Sequence, residues 1–173
     1  MHKGGTILIH FFGVVEYGYK NPLVNIYGIG KNGAFTQKDY LAQVLKPYVQ
    51  GFIAAFGAIL GPGKTPHFME DKNSAHGYKS ITNICAAWRA SVGIILFPHP
   101  AISPDMNLIE KCWRRIKQAL HRRLRQPITK AEMVAVVLEE WDKIPQEWIN
   151  RLIEQQEYWV HDLIKRYGWS IAN

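Results

Sequence analysis

The chain is 173 residues long and 47% apolar, enough for one globular domain to bury a core without disulfides or metals as staples. Lys and Arg outnumber Asp and Glu by 21 to 14, a formal charge of +7 at pH 7 and a pI near 9.4, which suits a polyanionic partner without naming one. The apolar runs at residues 7–15 and 51–60 are too short or too broken by Gly and His to span a bilayer, which argues against a transmembrane role.

Residues 6–15, rich in β-branched and aromatic side chains, predict a strand, and residues 21–27 predict a second that closes a hairpin across Gly18. After a glycine turn at residues 28–33, Thr36 and Asp39 resemble a capping box. Leu41, Val44, Leu45, Tyr48, Val49, Phe52, Ile53 and Phe56 then recur at helical steps, predicting an amphipathic helix. Beyond Gly61-Pro62-Gly63, residues 67–69 predict a short buried strand that delivers Glu70 and Asp71 to its C-terminal edge. Open α/β sheets gather ligand and catalytic groups at that edge. Residues 78–90 predict a helix closed by Gly93, residues 94–97 a further buried strand, and the prolines at 98, 100 and 104 a loop.

From Asn107 the pattern turns helical. Ile109, Trp113, Ile116, Leu120 and Leu124 form one stripe, and Lys111, Arg114, Arg115, Lys117, Arg122, Arg123 and Arg125 fill the other faces. A second helix opens on a capping box, Thr129 with Glu132, and a third runs from Pro145 to about residue 168. Strand, strand, helix, strand, helix, strand, then helices predicts a mixed α/β sheet with a helical C-terminal side. Cys85 and Cys112 lie in helical segments without paired spacing. With no charged-then-apolar leader at the start, they read as reduced thiols of an intracellular protein, nuclear in a eukaryote.

Each candidate for chemistry has a bland reading. A strand-end acid such as Asp71 is most often a solvated turn residue. Glu110 is an early-turn acid that a helix dipole favours, and the basic helix is a solvated face. His76 reads as a surface or core-edge histidine rather than a ligand. His67, His76 and His99 share no metal-ligand helix spacing, which argues against an unrelated metal hydrolase.

The run Ser103-Pro104-Asp105-Met106-Asn107-Leu108-Ile109-Glu110-Lys111-Cys112-Trp113 changes the weighing. It resembles the SPDLNPIE-x-x-W signature of mariner-superfamily DDE transposases, also called DDE superfamily endonucleases, with Leu108 in place of the usual proline. FMEDKNSAH, residues 68–76, looks like the family's strand-end acid motif with its following histidine, Lys72 standing where Asn is usual. The opening KGGTILIHFFGVVEYGYKNPLV is similar to the family's second strand and hairpin, with Phe12 where a Trp usually precedes the glycine. Trp141-Asp142-Lys143-Ile144-Pro145 and Arg166-Tyr167-Gly168 look like its last helices, so nearly the whole chain is covered.

The resemblance implies a ribonuclease-H-like mixed sheet of the retroviral-integrase superfamily, whose carboxylates hold two Mg²⁺ or Mn²⁺ ions for in-line attack on a DNA phosphodiester. Asp71 matches the family's second acid and Glu110 its third, each implied as catalytic residue and metal ligand. His76, Asp105 and Asn107 complete the motifs. The family's first Asp lies upstream of the segment matching residues 3–15. Residues 1–173 are therefore expected to form a partial DDE transposase catalytic domain, lacking its first strand, without the usual helix-turn-helix modules and inactive as written. Glu16, the one early acid, falls at the hairpin turn. The expected partner is DNA, held through Arg114, Arg115, Lys117, Arg122 and Arg123, with homodimerisation open and no small-molecule cofactor. The alternative is a non-catalytic nucleic-acid-binding or protein-interaction module derived from a transposase.

Overall fold

The hairpin predicted over residues 6–27 is present but interrupted. The computed structural model describes residues 9–71, 73–97 and 107–165, and the described strands of this segment are β1 (His10–Phe12), β2 (Val15–Glu16), β3 (Tyr19–Lys20) and β4 (Val24–Ile26). β1 pairs with β4, and β2 with β3 antiparallel, Val15 opposite Lys20. The unbroken strand expected to reach Val15 instead breaks at Gly13 and Val14. There the Asn21 side chain accepts the Val14 N–H, while the Asn21 N–H donates to the Val14 carbonyl at 3.1 Å. Gly18, at φ +74°, supplies the left-handed turn between β2 and β3.

The break coincides with a division of the chain into two compact units. One comprises Met1–Phe12 with Asn25–Ser103, the other Gly13–Val24 with Pro104–Asn173.

In the first unit, α1 (Gln37–Tyr40), a π-helical stretch (Leu41–Val49) and α2 (Gln50–Leu60) follow one another directly. Pro47 accounts for the wide middle turns: it has no N–H to donate, and its ring collides with the carbonyl of a tight helical turn. Val44, Leu45 and Val49 are fully buried. The predicted stripe weakens beyond them, and no residue of α2 is buried. β5 (His67–Phe68) runs parallel to β6 (Ile95–Leu96), with His67 opposite Ile95. The crossover carries α3 (Ile84–Ser91), shorter than the helix predicted from residue 78. Asn83 caps it by accepting the Ala86 N–H at 2.8 Å, and the residues before it form turns. Gly93 follows it at φ +72°, as expected of a helix-stopping glycine.

The second unit holds α4 (Leu108–Arg122), α5 (Lys130–Asp142) and α6 (Gln146–Lys165). The Thr129–Glu132 capping box forms as predicted, and the Pro145 carbonyl accepts the Trp148 and Ile149 N–H groups in the first turn of α6. Trp141 anchors this core. It is fully buried, stacks on Trp113 at 5.5 Å between ring centres and donates from Nε1 to the Asn21 carbonyl at 2.9 Å. Residues 166–168 of the closing motif lie outside the described residues. Among the described residues no helix is long and apolar enough to cross a membrane.

Candidate active site and basic helix

Just beyond the C-terminal end of β5 stand two adjacent acids with opposite fates, Glu70 buried and Asp71 exposed. Glu70 turns inward. Its carboxylate lies 2.8 Å from Arg89 Nη1 and accepts the hydroxyls of Tyr40 at 2.6 Å and Tyr78 at 3.1 Å. Burial and the Glu70 charge push the Tyr78 hydroxyl up to about 12 and raise Tyr40 well above its usual value. Both therefore stay protonated and donate. Glu70 is thereby committed to holding β5, α1 and α3 together.

Asp71 turns outward, with 52% of its side chain exposed. Its Oδ1 accepts the Asn73 N–H at 3.1 Å and faces His76 Nδ1 at 3.0 Å, and the same nitrogen lies 2.9 Å from the Asp71 carbonyl. The His76 ring stacks on Tyr40 at 4.0 Å. Burial alone would lower its pKa, but the bonds to the Asp71 side chain and carbonyl prevail and raise it. The short turn Ser74–His76, capped by Asn73, brings His76 back onto Asp71. Gly77 ends that turn at φ +87°, packed so closely on Asn83 that no side chain fits. The motif spacing thus places His76 against the acid, as a brace for its carboxylate. Lys72 lies outside the described residues.

Glu110 stands in the first turn of α4, half-buried, its N–H bonded to the Asn107 carbonyl at 3.0 Å. Asn107 occupies the N-cap position without a side-chain cap bond. Asp105 lies outside the described residues. Leu108, Cys112 and Ile116 form the buried face of α4, and burial pushes the Cys112 thiol up to about 11. Helical spacing sets Glu110, Arg114, Lys117 and His121 along one line of this helix, away from that face.

Arg114, Arg115, Lys117 and Arg122 are exposed. The Arg115 guanidinium lies over the Trp148 ring at 5.0 Å. Arg123 differs from the rest of the set: it is bonded to Glu140 at 2.8 Å and to Glu139 at 3.3 Å, so its charge is answered within the fold.

Residues 10–134 match the family described as DDE superfamily endonuclease. The chain belongs to that family. No curated protein matches it. Asp71, Glu110 and the whole of α4 fall inside the span matched to the endonuclease family, whereas α6 falls beyond it. DDE endonucleases use divalent metal ions, and their transposase members act on DNA. Among the described residues of this DDE domain, no group of three or more His, Cys, Asp or Glu side chains is gathered to hold a metal.

Two features of the domain went unread in the sequence. One is the Glu70–Arg89–Tyr40–Tyr78 network, whose members lie far apart in the chain and share no motif. The other is Lys20, whose Nζ donates to the carbonyls of Trp141 at 2.7 Å and Ile144 at 2.8 Å at the end of α5. A cation there satisfies carbonyls that the helix leaves open.

Proposed function

We propose that this chain derives from the metal-dependent strand-cleaving and strand-joining domain of a mariner-type DDE transposase, built on a ribonuclease-H-like sheet, and that it engages DNA inside the cell, in the nucleus of a eukaryote. The observation that carries the reading is the contrast at the end of β5, inside the matched span. Glu70 is consumed by the fold, while Asp71 presents a half-exposed carboxylate at the edge where a parallel pair of strands ends.

Asp71 and Glu110 are the carboxylates we assign as ligands of Mg²⁺ or Mn²⁺. Hard oxygen donors suit these ions, which take one or two carboxylates and complete their shell with water and phosphate. Such an ion supplies charge stabilisation for the attacking and leaving oxygens of phosphoryl transfer. His76 orients the Asp71 carboxylate. Arg114, Lys117, Arg122 and the Trp148-supported Arg115 hold the phosphate backbone, which gives affinity without base information.

The test is a pair of titrations on the 173-residue chain. Mn²⁺ binding, followed by calorimetry, is expected to weaken with Asp71→Asn and with Glu110→Gln but to survive Lys143→Gln. Binding to a mixed-sequence duplex is expected to fall by about 10³ or more between 50 and 200 mM salt if six or more phosphates are contacted. A chain that takes up neither Mn²⁺ nor DNA at low salt would refute the reading. DNA binding with no response to Mn²⁺ would instead support a non-catalytic binding module.

A further inference from the structure

The loop between α4 and α5 holds an apolar side chain out in water while its backbone is tied down on both sides. Leu124 is 108% exposed and Ile128 77%, with Arg125 beside them 83% exposed and Arg122 one turn back on α4. The loop is short and braced. Arg123 is bonded to Glu140 and Glu139 of α5. The Gln126 side chain donates from Nε2 to the carbonyls of Leu120 at 2.9 Å and Arg123 at 3.1 Å, closing the open end of α4. The Ile128 N–H donates to Glu132 at 2.8 Å, and the Thr129 capping box starts α5 directly afterwards.

A single exposed leucine is ordinary on a protein surface. Here it stands with a second aliphatic side chain on a loop that carries exposed arginines, Arg125 lying 3.8 Å from the Glu132 carboxylate at the start of α5 but 83% exposed, and the loop's hydrogen bonds leave it little freedom to fold these side chains away. Burial within this unit therefore gains nothing from Leu124. An apolar tip flanked by arginines has the chemistry of a wedge for the DNA minor groove: the cations meet the two phosphate rows and the aliphatic side chain enters between base pairs that have parted.

We propose that Leu124, seconded by Ile128, is inserted into duplex DNA at a deformable step while Arg122 and Arg125 hold the flanking phosphates, so that this domain bends or unstacks its substrate as well as gripping it. The proposal rests on the DNA reading above and adds to it a distortion that phosphate contacts alone do not produce. Pyrimidine–purine steps unstack at least cost, so the insertion favours them. It is a preference of shape and not of base identity.

The experiment uses the 173-residue chain and a duplex carrying 2-aminopurine at a central TA step. This base brightens when unstacked. The wild-type chain is expected to bind with a steep salt dependence and to raise the fluorescence. Leu124→Ala is expected to melt like wild type, since the side chain stands out in solvent, to keep the salt slope, to lose most of the fluorescence rise and to bind about tenfold more weakly, the net of one buried leucine against base unstacking. Leu124→Met, which keeps the apolar reach, is expected to restore both. If the wild-type chain binds no DNA even at low salt, the DNA reading itself fails. If it binds with an Arg122-dependent salt slope but Leu124→Ala matches wild type in affinity and fluorescence, the wedge is wrong and the phosphate reading stands. Sedimentation of the DNA-free chain supplies the remaining arm: a dimer that Leu124→Ala converts to monomer would assign this tip to a second copy of the chain and overturn the proposal.

Discussion

Arg89 and Glu70 form a buried ion pair, 2.8 Å from Nη1 to Oε1, with 3% of either side chain exposed. Removing one partner leaves a lone charge in a place water cannot reach, at a cost of about 3–5 kcal/mol. Arg89→Leu is expected to destabilise by that order, and the double variant Glu70→Gln/Arg89→Leu by less than the sum of the single changes. Asp71→Asn, one residue along, is expected to cost under about 1 kcal/mol, because its carboxylate is half exposed to solvent, which screens its interaction with His76. Urea melts of wild type, the two single variants, the double variant and Asp71→Asn check this. An Arg89→Leu chain as stable as wild type would release Glu70 from its structural role and make it a candidate ligand beside Asp71.

The start of α1 gives a pH prediction. The Asp39 carboxylate accepts the Thr36 N–H at 2.9 Å, the Thr36 hydroxyl at 2.7 Å and the Ile29 N–H at 3.4 Å. Burial pushes this carboxyl up, and the three bonds together outweigh it and hold the carboxyl below the usual range. A carboxyl lowered in the folded state adds stability above its unfolded value of about 3.9, and that stability is lost as pH falls through the folded value. Asp39→Asn is therefore expected to flatten the acid limb of the stability curve below about pH 4 and to leave its shape unchanged at neutrality. Melting temperatures read from pH 2 to 6 decide it.

Gly13 is a steric requirement of the second unit. A Cβ on it would stand 2.7 Å from Trp141 Cη2 and 3.2 Å from Leu23 Cδ1. Trp141 cannot retreat without giving up its bond to the Asn21 carbonyl. Gly13→Ala is expected to destabilise by about 1–3 kcal/mol through overpacking. Gly33→Ala offers the contrast: a Cβ there meets nothing, and its cost comes only from φ +74°. Guanidinium melts of both report the difference.

Elements with a local cause were readable in the sequence. The Thr36 and Thr129 capping boxes and the short strand at His67–Phe68 each depend on residues within a turn of one another, and each is where the pattern put it. The buried face of α4, expected at Ile109, Trp113, Ile116, Leu120 and Leu124, is instead Leu108, Cys112 and Ile116, and Leu124 lies beyond the helix, fully exposed. What escaped the reading depends on residues brought together from far along the chain. Trp141 requires a glycine at position 13, and Arg89 decides which of two neighbouring acids is structural. The helix expected from residue 78 shortened for a local reason that was visible but underweighted, the strong cap at Asn83. Asp105 and the Ser103-Pro104 turn, the motif's most distinctive part, lie outside the described residues.

Arg122 and Arg123 are neighbours in sequence with opposite expected roles. Arg123 forks onto Glu140 and Glu139, with 30% of its side chain exposed, while Arg122 is exposed on the last turn of α4. Arg123→Ala is expected to cost about 1 kcal/mol of stability, a partly screened pair, and to leave the salt slope of DNA binding as it was. Arg122→Ala is expected to leave the melt unchanged and to reduce the slope by about 1, as follows when a single phosphate is no longer neutralised. Denaturant melts and DNA titrations between about 50 and 200 mM salt, run on both variants, read the two effects separately. A slope that falls with Arg123→Ala and not with Arg122→Ala would mean that DNA displaces the α5 acids, and the role of neutralising the backbone would pass from the exposed arginine to the paired one.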